Sequence, residues 1–323
     1  MTTPPTEDQM RSMYATMVKI RLFEEEILRR EQKGLAIHSC AGHEGIALGV
    51  ISQLTLTDLV VSNHRPWGHF LAKGGTLRES FAEIMGHPDG VCGGTGGEMG
   101  ICKPEIGFVQ STMIVGAALT LATGVAFSIQ QLQVGKDNIA VVFFGEGAST
   151  NGAFHEALEL AKLFHLHLLF VCENNGLSGN TPAIEYMPTE LVVHRAMGYG
   201  IRTNVCDGSD VLAVWDAAQT AIEYVRKERA PYLLECLCVR INRLQVRIHH
   251  RQRLILRHAA SRQCHQRHQI RRRACPQIKV HKLPIRENHL ITRRPRPRHR
   301  QADRKRPIRV QRHQIYRLPA ASA

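Results

Sequence analysis

No stretch of this sequence is long and apolar enough to cross a lipid bilayer. A membrane helix needs about eighteen uninterrupted apolar residues, and such a run occurs nowhere in the chain. Residues 1–9 also lack the basic start and apolar core of a secretory signal peptide. The first absence excludes a membrane-spanning helix. From both together we expect a soluble, cytoplasmic protein with no membrane partner.

The cysteines lack the paired spacing of a zinc site, and their number, nine, is odd. Several lie inside apolar runs, where a thiol behaves as a small buried side chain. These features exclude a structural zinc site and a complete disulfide framework, so we expect free thiols in a reducing compartment. The nine are Cys40, Cys92, Cys102, Cys172, Cys206, Cys236, Cys238, Cys264 and Cys275.

Glycine, phenylalanine, tryptophan and methionine are all absent from residues 242–323. This segment holds 21 Arg and 3 Lys against two acidic residues, a balance of +22, together with nine His. Residues 1–241 hold 18 basic and 26 acidic side chains, a balance of −8. The net charge of +14 is therefore the sum of an acidic segment and a strongly basic one.

Two hypotheses account for the basic tail. Dense arginine suits a nucleic-acid-binding arm, because it neutralises phosphates. However, the tail shows no aromatic interleaving and no zinc, helix-turn-helix or RNA-binding pattern. We favour translation in a shifted reading frame, with nucleic acid not expected as a partner. We accordingly divide the chain into a folded domain, residues 1–241, and a tail, residues 242–323, expected to be disordered or non-native.

The segment from 139 to 182 predicts a strand, a short helix and a second strand. Ile139 to Phe144 is a continuous apolar run typical of a strand covered on both faces, and it stops at Gly145-Glu146-Gly147. Apolar positions recur at helical spacing over 153–163. A second apolar run over 168–172 leads to Asn174-Asn175.

The same alternation of helices and strands is predicted elsewhere in residues 1–241. It favours an α/β fold with a mostly parallel sheet and helices on both faces. The further predicted elements are a helix from a Thr6/Gln9 capping box to Lys33, a helix over 189–197, a strand over 201–206, a helix over 210–229 and a strand over 231–239.

Glu146 and Asn175 should be neighbours, because parallel strands joined by a crossover end at the same edge of the sheet. Carboxylate, amide and carbonyl oxygens suit Mg²⁺, which completes its shell with water and phosphate. A Gly-acid-Gly triplet alone is more often a turn after a strand. The Asn pair at the end of the next strand favours the metal site.

These two elements resemble the thiamine diphosphate motif, a Gly-Asp/Glu-Gly followed just under thirty residues later by Asn-Asn. The chain is similar to α subunits of 2-oxo acid dehydrogenase E1 components, the pyruvate, branched-chain 2-oxo acid and acetoin dehydrogenases. The resemblance implies the thiamine diphosphate-binding fold and an Mg²⁺ ion held by Glu146, Asn175 and the carbonyl of Leu177. It also implies cofactor contacts from Gly145, Gly147, Ala148 and Asn175.

Two upstream segments extend the resemblance. His38 to Glu44 is similar to the family's His-x-x-x-Gly-Gln-Glu, which makes His38 the candidate catalytic residue on the substrate side; the alternative is an ordinary loop histidine. Asn63 to Gly68 is similar to Tyr-Arg-x-His-Gly, which makes Arg65 a donor to the diphosphate. His64 and Trp67 stand where the family has tyrosine and histidine, two positions at the substrate pocket.

Two further segments match the family less completely. Seven glycines between Gly86 and Gly100 could form a flexible loop or a phosphate cradle. The segment lacks the family's lysine and final histidine, so we assign it close backbone packing and no catalytic residue. At Ser111 to Ala117 the resemblance implies a backbone contact from Met113 and an apolar wedge, Val115, under the cofactor; the alternative is a core valine.

The resemblance also implies the activity and the partners. An E1 component decarboxylates a 2-oxo acid such as pyruvate, or cleaves acetoin, and passes the acyl unit to a lipoyl-bearing E2 acyltransferase. Its α subunit works with a β subunit in an α2β2 heterotetramer. After Arg240 the family continues into a Gly-His-Ser loop that this chain lacks, so a catalytically inactive product is an alternative.

Overall fold

The computed structural model describes residues 2–31, 38–132 and 137–241, and the statements below concern these residues. Eight strands occur in chain order: β1 (Leu59–Ser62), β2 (Phe108–Ser111), β3 (Ala140–Gly145), β4 (Leu168–Asn174), β5 (Leu177–Ser178), β6 (Thr181–Pro182), β7 (Arg202–Asp207) and β8 (Tyr232–Leu237). Six of them form one sheet in the order β2-β1-β3-β4-β8-β7, and every neighbouring pair is parallel. β5 and β6 pair antiparallel.

Helices connect these strands. They are α1 (Glu7–Glu31), α2 (Glu44–Ile51), α3 (Trp67–Ala72), α4 (Leu77–Ile84), α5 (Ala117–Leu132), α6 (Gly152–Leu163), α7 (Ala183–Tyr186), α8 (Val193–Met197) and α9 (Val211–Glu228). No helix in the described ranges combines the length and apolar character needed to cross a membrane.

Two hydrophobic cores lie on opposite faces of the sheet. Along β3, Val141 and Phe143 join the core formed with α1, α2, α3 and α9. The alternating residues Val142 and Phe144 join the core formed with α5, α6 and α8. Because successive strand side chains point to opposite faces, one wholly apolar strand serves both cores. The predicted fold, a parallel sheet with helices on both faces, is confirmed.

Most predicted elements lie where the sequence placed them. The predicted α1 capping box is confirmed, since the Thr6 amide donates to Gln9 Oε1 at 2.8 Å and the Gln9 amide to Thr6 Oγ1 at 3.2 Å. The predicted end of α1 near Lys33 lies outside the described residues. α8 is shorter than predicted. It begins at Val193, where the amides of Val192 and Val193 donate to the buried Glu235 carboxylate at 3.1 and 2.9 Å.

The described cysteines are free thiols, as predicted for a protein without disulfides. Cys40, Cys172, Cys236 and Cys238 are buried. Cys264 and Cys275 lie outside the described residues, as does the whole predicted tail.

The strand order reverses between β1 and β3. The connection that leaves β1 leads outward to β2, whereas the connection that leaves β3 leads in the opposite direction to β4. A crevice therefore opens at the carboxyl ends of these two central strands, which is where open α/β sheets bind ligands.

Candidate functional site

The residues predicted to bind the cofactor and metal ion follow the carboxyl ends of the parallel strands. Arg65 follows β1, Met113 and Val115 follow β2, Glu146 follows β3, and Asn175 follows β4. The parallel topology brings them to one edge of the sheet, although they are far apart in the sequence. His38 comes from a different place, the segment before α2.

Glu146 is almost fully enclosed at this edge. It begins a short 3-10 helix, Glu146–Thr150, and is 1% exposed. The Asn175 amide donates to Glu146 Oε2 at 3.2 Å, and the Tyr186 hydroxyl donates to Oε1 at 3.1 Å. Glu146 and Asn175 are therefore neighbours, as predicted. Burial raises the pKa of the Glu146 carboxyl to about 7 despite these hydrogen bonds.

The donor set here fits a hard divalent cation. A buried carboxyl with a raised pKa gains from a nearby positive charge, and the site offers this carboxylate, the Asn175 amide and the Leu177 backbone. No group of three His, Cys, Asp or Glu side chains that could hold a metal occurs in the described parts of the chain. An ion at this edge would thus use one carboxylate, amide and carbonyl oxygens, and ligand phosphate, a set that suits Mg²⁺ better than Zn²⁺.

Glycines keep the backbone beside Glu146 open. A Cβ on Gly147 would lie 2.5 Å from Ser178 Oγ, so only glycine allows the β3 loop to pack against β5. A Cβ on Gly145 would meet nothing within 4 Å. Ala148, the third residue of this segment that was predicted to contact the cofactor, is buried within the 3-10 helix.

Arg65 and Arg240 form the positive side of the crevice. Arg65 Nη1 donates to the Ser39 carbonyl at 2.7 Å, and its pKa is lowered to about 10 by burial and by the charge of Arg240. The Arg240 side chain is mostly buried, and its Nε finds no hydrogen-bond partner within the described ranges. Its Nη2 makes only a long contact, 3.5 Å, to the Gly179 carbonyl.

Arg240 was not predicted as a site residue. The signal that could have found it was its position just beyond β8, a central strand that ends at the same edge as β4. Two neighbouring guanidiniums can bind a ligand that carries more than one negative charge.

The candidate catalytic residue His38 contacts Glu98. His38 Nδ1 lies 2.7 Å from Glu98 Oε1, and the His38 amide donates to Oε2 at 2.7 Å. The rings of His38 and His64 meet edge to face, 5.5 Å apart. Burial, together with the charge of Arg65, lowers the pKa of His64 to about 4, so His64 is neutral near pH 7. The catalytic role of His38 stays a prediction.

Met113 and Val115 lie at the surface. Their exposed fractions are 63% and 48%, so the alternative interpretation of Val115 as a core valine is wrong. The Val115 carbonyl accepts a hydrogen bond from Asn151 Nδ2 at 3.2 Å, which ties this loop to the start of α6.

The glycine-rich segment wraps around a carboxylate from the chain itself. The amides of Cys92, Gly94, Gly96 and Gly97 donate to Glu83 over 2.7–3.0 Å, and Glu83 is fully buried. The phosphate-cradle interpretation is therefore wrong, because these amides already bind an anion. The close backbone packing predicted for the segment is confirmed at Gly94, where a Cβ would lie 2.5 Å from the Gly86 backbone.

The tryptophan that replaces the family's histidine lies in the hydrophobic core. Trp67 is buried in the core against Phe23 and Phe70, so it does not line an open pocket. Its neighbour His69 instead contacts the buried Glu173, with Nε2 to Oε1 at 3.1 Å. Burial would raise the pKa of Glu173, but His69 and His43 hold it well below its usual range. This buried cluster was missed because its members come from three distant segments.

Together, the fold and the site define an α/β protein that can hold a polyanionic ligand and a hard cation at a topological switch point. The family model for the dehydrogenase E1 component matches residues 12–244, and the chain belongs to that family. The α subunit of acetoin:2,6-dichlorophenolindophenol oxidoreductase from Bacillus subtilis is 39% identical over 238 residues, which cover 73% of this chain and 71% of that protein.

Two further relatives span a similar share of the chain. The corresponding acetoin oxidoreductase subunit from Cupriavidus necator is 35% identical over 241 residues, covering 73% of this chain and 72% of that protein. The pyruvate dehydrogenase E1 component subunit alpha from Rhizobium meliloti is 33% identical over 237 residues, covering 72% and 67%. These relatives are oxidoreductase subunits with different substrates in their names.

Proposed function

We propose that this chain is the α subunit of an E1 component that binds thiamine diphosphate and Mg²⁺. The observation that carries the proposal is the contact between Glu146 and Asn175 at the switch point of the sheet. Glu146, Asn175 and the Leu177 carbonyl would hold the ion. Gly145, Gly147 and Ala148 would let the backbone approach the diphosphate, and Arg65 would neutralise part of its charge.

The reaction we propose is oxidative decarboxylation of a 2-oxo acid, or cleavage of acetoin, with transfer of the acyl unit to a lipoyl-bearing E2. When bound, thiamine diphosphate supplies the nucleophilic carbon and the electron sink. The chain supplies the groups that orient it: Met113 through its backbone, Val115 as an apolar support, and His38 as a proton donor or acceptor toward the substrate. The names of the relatives support both substrate classes.

A β subunit completes the site in this proposal, as part of an α2β2 heterotetramer. The exposure of Met113, Ile114 and Val115 supports it, because the segment proposed to contact the cofactor is open on the outer side of this chain. The names of the relatives, all α subunits, point to the same arrangement. A cytoplasmic location stays an expectation from the sequence.

Calorimetry tests the cofactor proposal. The chain is reconstituted with an E1 β subunit and titrated with thiamine diphosphate in the presence of Mg²⁺. Glu146→Ala is expected to weaken binding at least about tenfold, because a charged metal ligand is lost. Glu223→Ala, which removes an exposed carboxylate on α9, serves as the matched control. Equal binding by wild type and Glu146→Ala would contradict the proposal.

We further propose that residues 242–323 come from a shifted reading frame, so that the chain as written binds the cofactor more weakly than a chain with the family's C-terminal region and keeps only residual activity. The family match supports this, because it ends at residue 244, close to the change in composition. A selected nucleic-acid arm is the second candidate, favoured by the balance of +22 in the tail.

A further inference from the structure

His38 and Glu98 form a carboxylate–imidazole pair. Glu98 accepts from both the backbone amide and the ring of His38, each at 2.7 Å, so the carboxylate fixes the position of the residue as well as its ring. The Glu98 side chain is 14% exposed, whereas that of His38 is 40% exposed. The imidazole is thus held from its inner side and open on its outer side.

The contact dictates which ring nitrogen carries the proton. An ionised carboxylate can only accept a hydrogen bond, so Nδ1 must donate and the neutral ring must leave Nε2 as its acceptor. Nε2 has no hydrogen-bond partner in the part of the chain that the structure describes. The pair therefore presents a basic nitrogen with a fixed direction, as a carboxylate does for the histidine of a hydrolase.

The glycine-rich segment holds Glu98 in place. The amides of Gly96 and Gly97, the two residues before Glu98, donate to the buried Glu83 carboxylate at 2.7 and 3.0 Å. On the other side, Ser111 Oγ accepts from the Ile101 amide at 2.9 Å. Both ends of the short loop are thus anchored, which gives this segment a role that its composition alone did not suggest.

The pair also borders the cofactor side of the crevice. His64 meets the His38 ring, and the Ser39 carbonyl accepts from Arg65 Nη1 at 2.7 Å. His38 thus contacts Glu98 and His64 directly, and Arg65 binds the neighbouring Ser39. Of these, Glu98 alone supplies the negative charge that stabilises an imidazolium.

We propose that Glu98 is the positioning residue of His38, and that the pair accepts a proton from a hydroxyl group of the substrate through Nε2. In that step the O–H bond breaks and its proton moves to Nε2, the electron pair left on the oxygen forms a new carbonyl, and the adjacent C–C bond breaks toward the electron sink that bound thiamine diphosphate would supply, while Glu98 stabilises the resulting imidazolium. The substrate class that needs such a base is a neutral α-hydroxy ketone. The proposal rests on the proposed function and adds to it the residue that sets the base.

The tautomer of His38 tests the proposal without any cofactor. Long-range proton–nitrogen NMR of the full chain with ¹⁵N-labelled histidine distinguishes the two neutral forms, and His38→Gln identifies the signal. The wild type is expected to show the Nδ1–H form. Glu98→Ala is expected to lose that form in favour of Nε2–H. Glu98→Gln, which keeps an acceptor oxygen, is expected to retain it.

Glu105→Ala, on the exposed 3-10 helix Pro104–Ile106, is the matched control and is expected to leave the signal unchanged. An Nε2–H form in the wild type would overturn the proposal by itself, whether or not any variant folds. A folded Glu98→Ala protein that keeps Nδ1–H would also overturn it.

Kinetics provide the second readout. In the reconstituted pair with an E1 β subunit, Glu98→Ala is expected to lower kcat for acetoin about tenfold or more, because the base is no longer oriented. Its affinity for thiamine diphosphate should stay unchanged. An unchanged kcat would overturn the role of Glu98, whereas loss of cofactor binding already in the wild type would overturn the proposed function instead.

Discussion

Glu146 holds its proton more tightly in the folded chain than in an unfolded one, because burial raises its pKa from 4.5 to about 7. The stabilising contribution of the protonated group is complete below about pH 4.5 and is lost as the pH rises through 7. Glu146→Gln removes this loss. The quantity to compare is the free energy of unfolding of the variant minus that of the wild type, measured in a metal-free buffer. This difference is expected to be about 3 kcal/mol larger at about pH 8 than at about pH 4.5.

Urea unfolding at the two pH values measures this difference. Glu223→Gln, an exposed change on α9, is the control and should follow the wild-type profile. If the free energy of unfolding changes equally with pH in Glu146→Gln and wild type, the pKa of Glu146 is not raised in the folded chain.

Arg240 is expected to contribute to anion binding, since its side chain is mostly buried and its Nε donates to no group in the described residues. Arg240→Gln should weaken the binding of inorganic pyrophosphate with Mg²⁺ about tenfold, the usual cost of one charge-assisted hydrogen bond. Titration calorimetry of the full chain measures the effect. Arg11→Gln, which breaks an exposed ion pair within α1, is the control. Equal weakening by both variants would point to general electrostatics rather than a site.

At the scale of elements, α2 and α9 approach each other at Gly49. A Cβ at this position would lie 2.6 Å from Val214 Cγ1, so Gly49→Ala is expected to destabilise the fold by about 1–3 kcal/mol. The same change at Gly124 in α5 would meet nothing within 4 Å. Gly124→Ala should therefore stabilise the chain by about 0.5–1 kcal/mol, because alanine favours a helix.

Chemical denaturation measures the change in the free energy of unfolding for the same substitution at a tightly packed glycine, Gly49, and at an open one, Gly124. Opposite signs are expected. A Gly49→Ala protein at least as stable as wild type would mean that α2 and α9 are not closely packed around this glycine.

The elements that the sequence predicted best are those with strong local patterns. β3 and β4 are continuous apolar runs, α6 has helical apolar spacing, and their parallel order then follows from chain connectivity. Contacts between distant segments could not be predicted. Glu98 meets His38 across 60 positions, and the start of α8 depends on Glu235, 42 positions away from Val193. Nothing in the local sequence marks these partners.

The candidate site divides in the same way. The motif predicted Glu146 and Asn175, because both directly follow buried strands. It did not reveal that Trp67 belongs to the core, since a bulky residue in a polar segment can face either way. For the glycine-rich segment, the sequence did not show whether the backbone amides bind an external anion or the Glu83 carboxylate of the same chain. Both kinds of loop use glycine amides as donors.

At the scale of the whole molecule, the chain joins a segment with a balance of −8 to a tail of +22. Nucleic acid is not expected as a biological partner of a frame-shifted tail, but a tail of this charge would still bind DNA in vitro through charge alone. The full chain is thus expected to bind unrelated duplexes with equal affinity and to release them steeply as salt rises. Deleting residues 242–323 should abolish the binding. Fluorescence anisotropy with two duplexes of unrelated sequence measures this, and a clear preference for one would favour a selected arm.

The reading frame of the gene decides between these origins of the tail. The family match ends at residue 244, and a shift near codon 240 would replace the expected Gly-His-Ser loop and C-terminal helices by arginine-rich sequence. One of the other two frames is therefore expected to encode both. A chain rebuilt in that frame should bind thiamine diphosphate at least about tenfold more tightly with its β partner, since a diphosphate contact returns. If neither frame encodes the loop, the tail belongs to the protein.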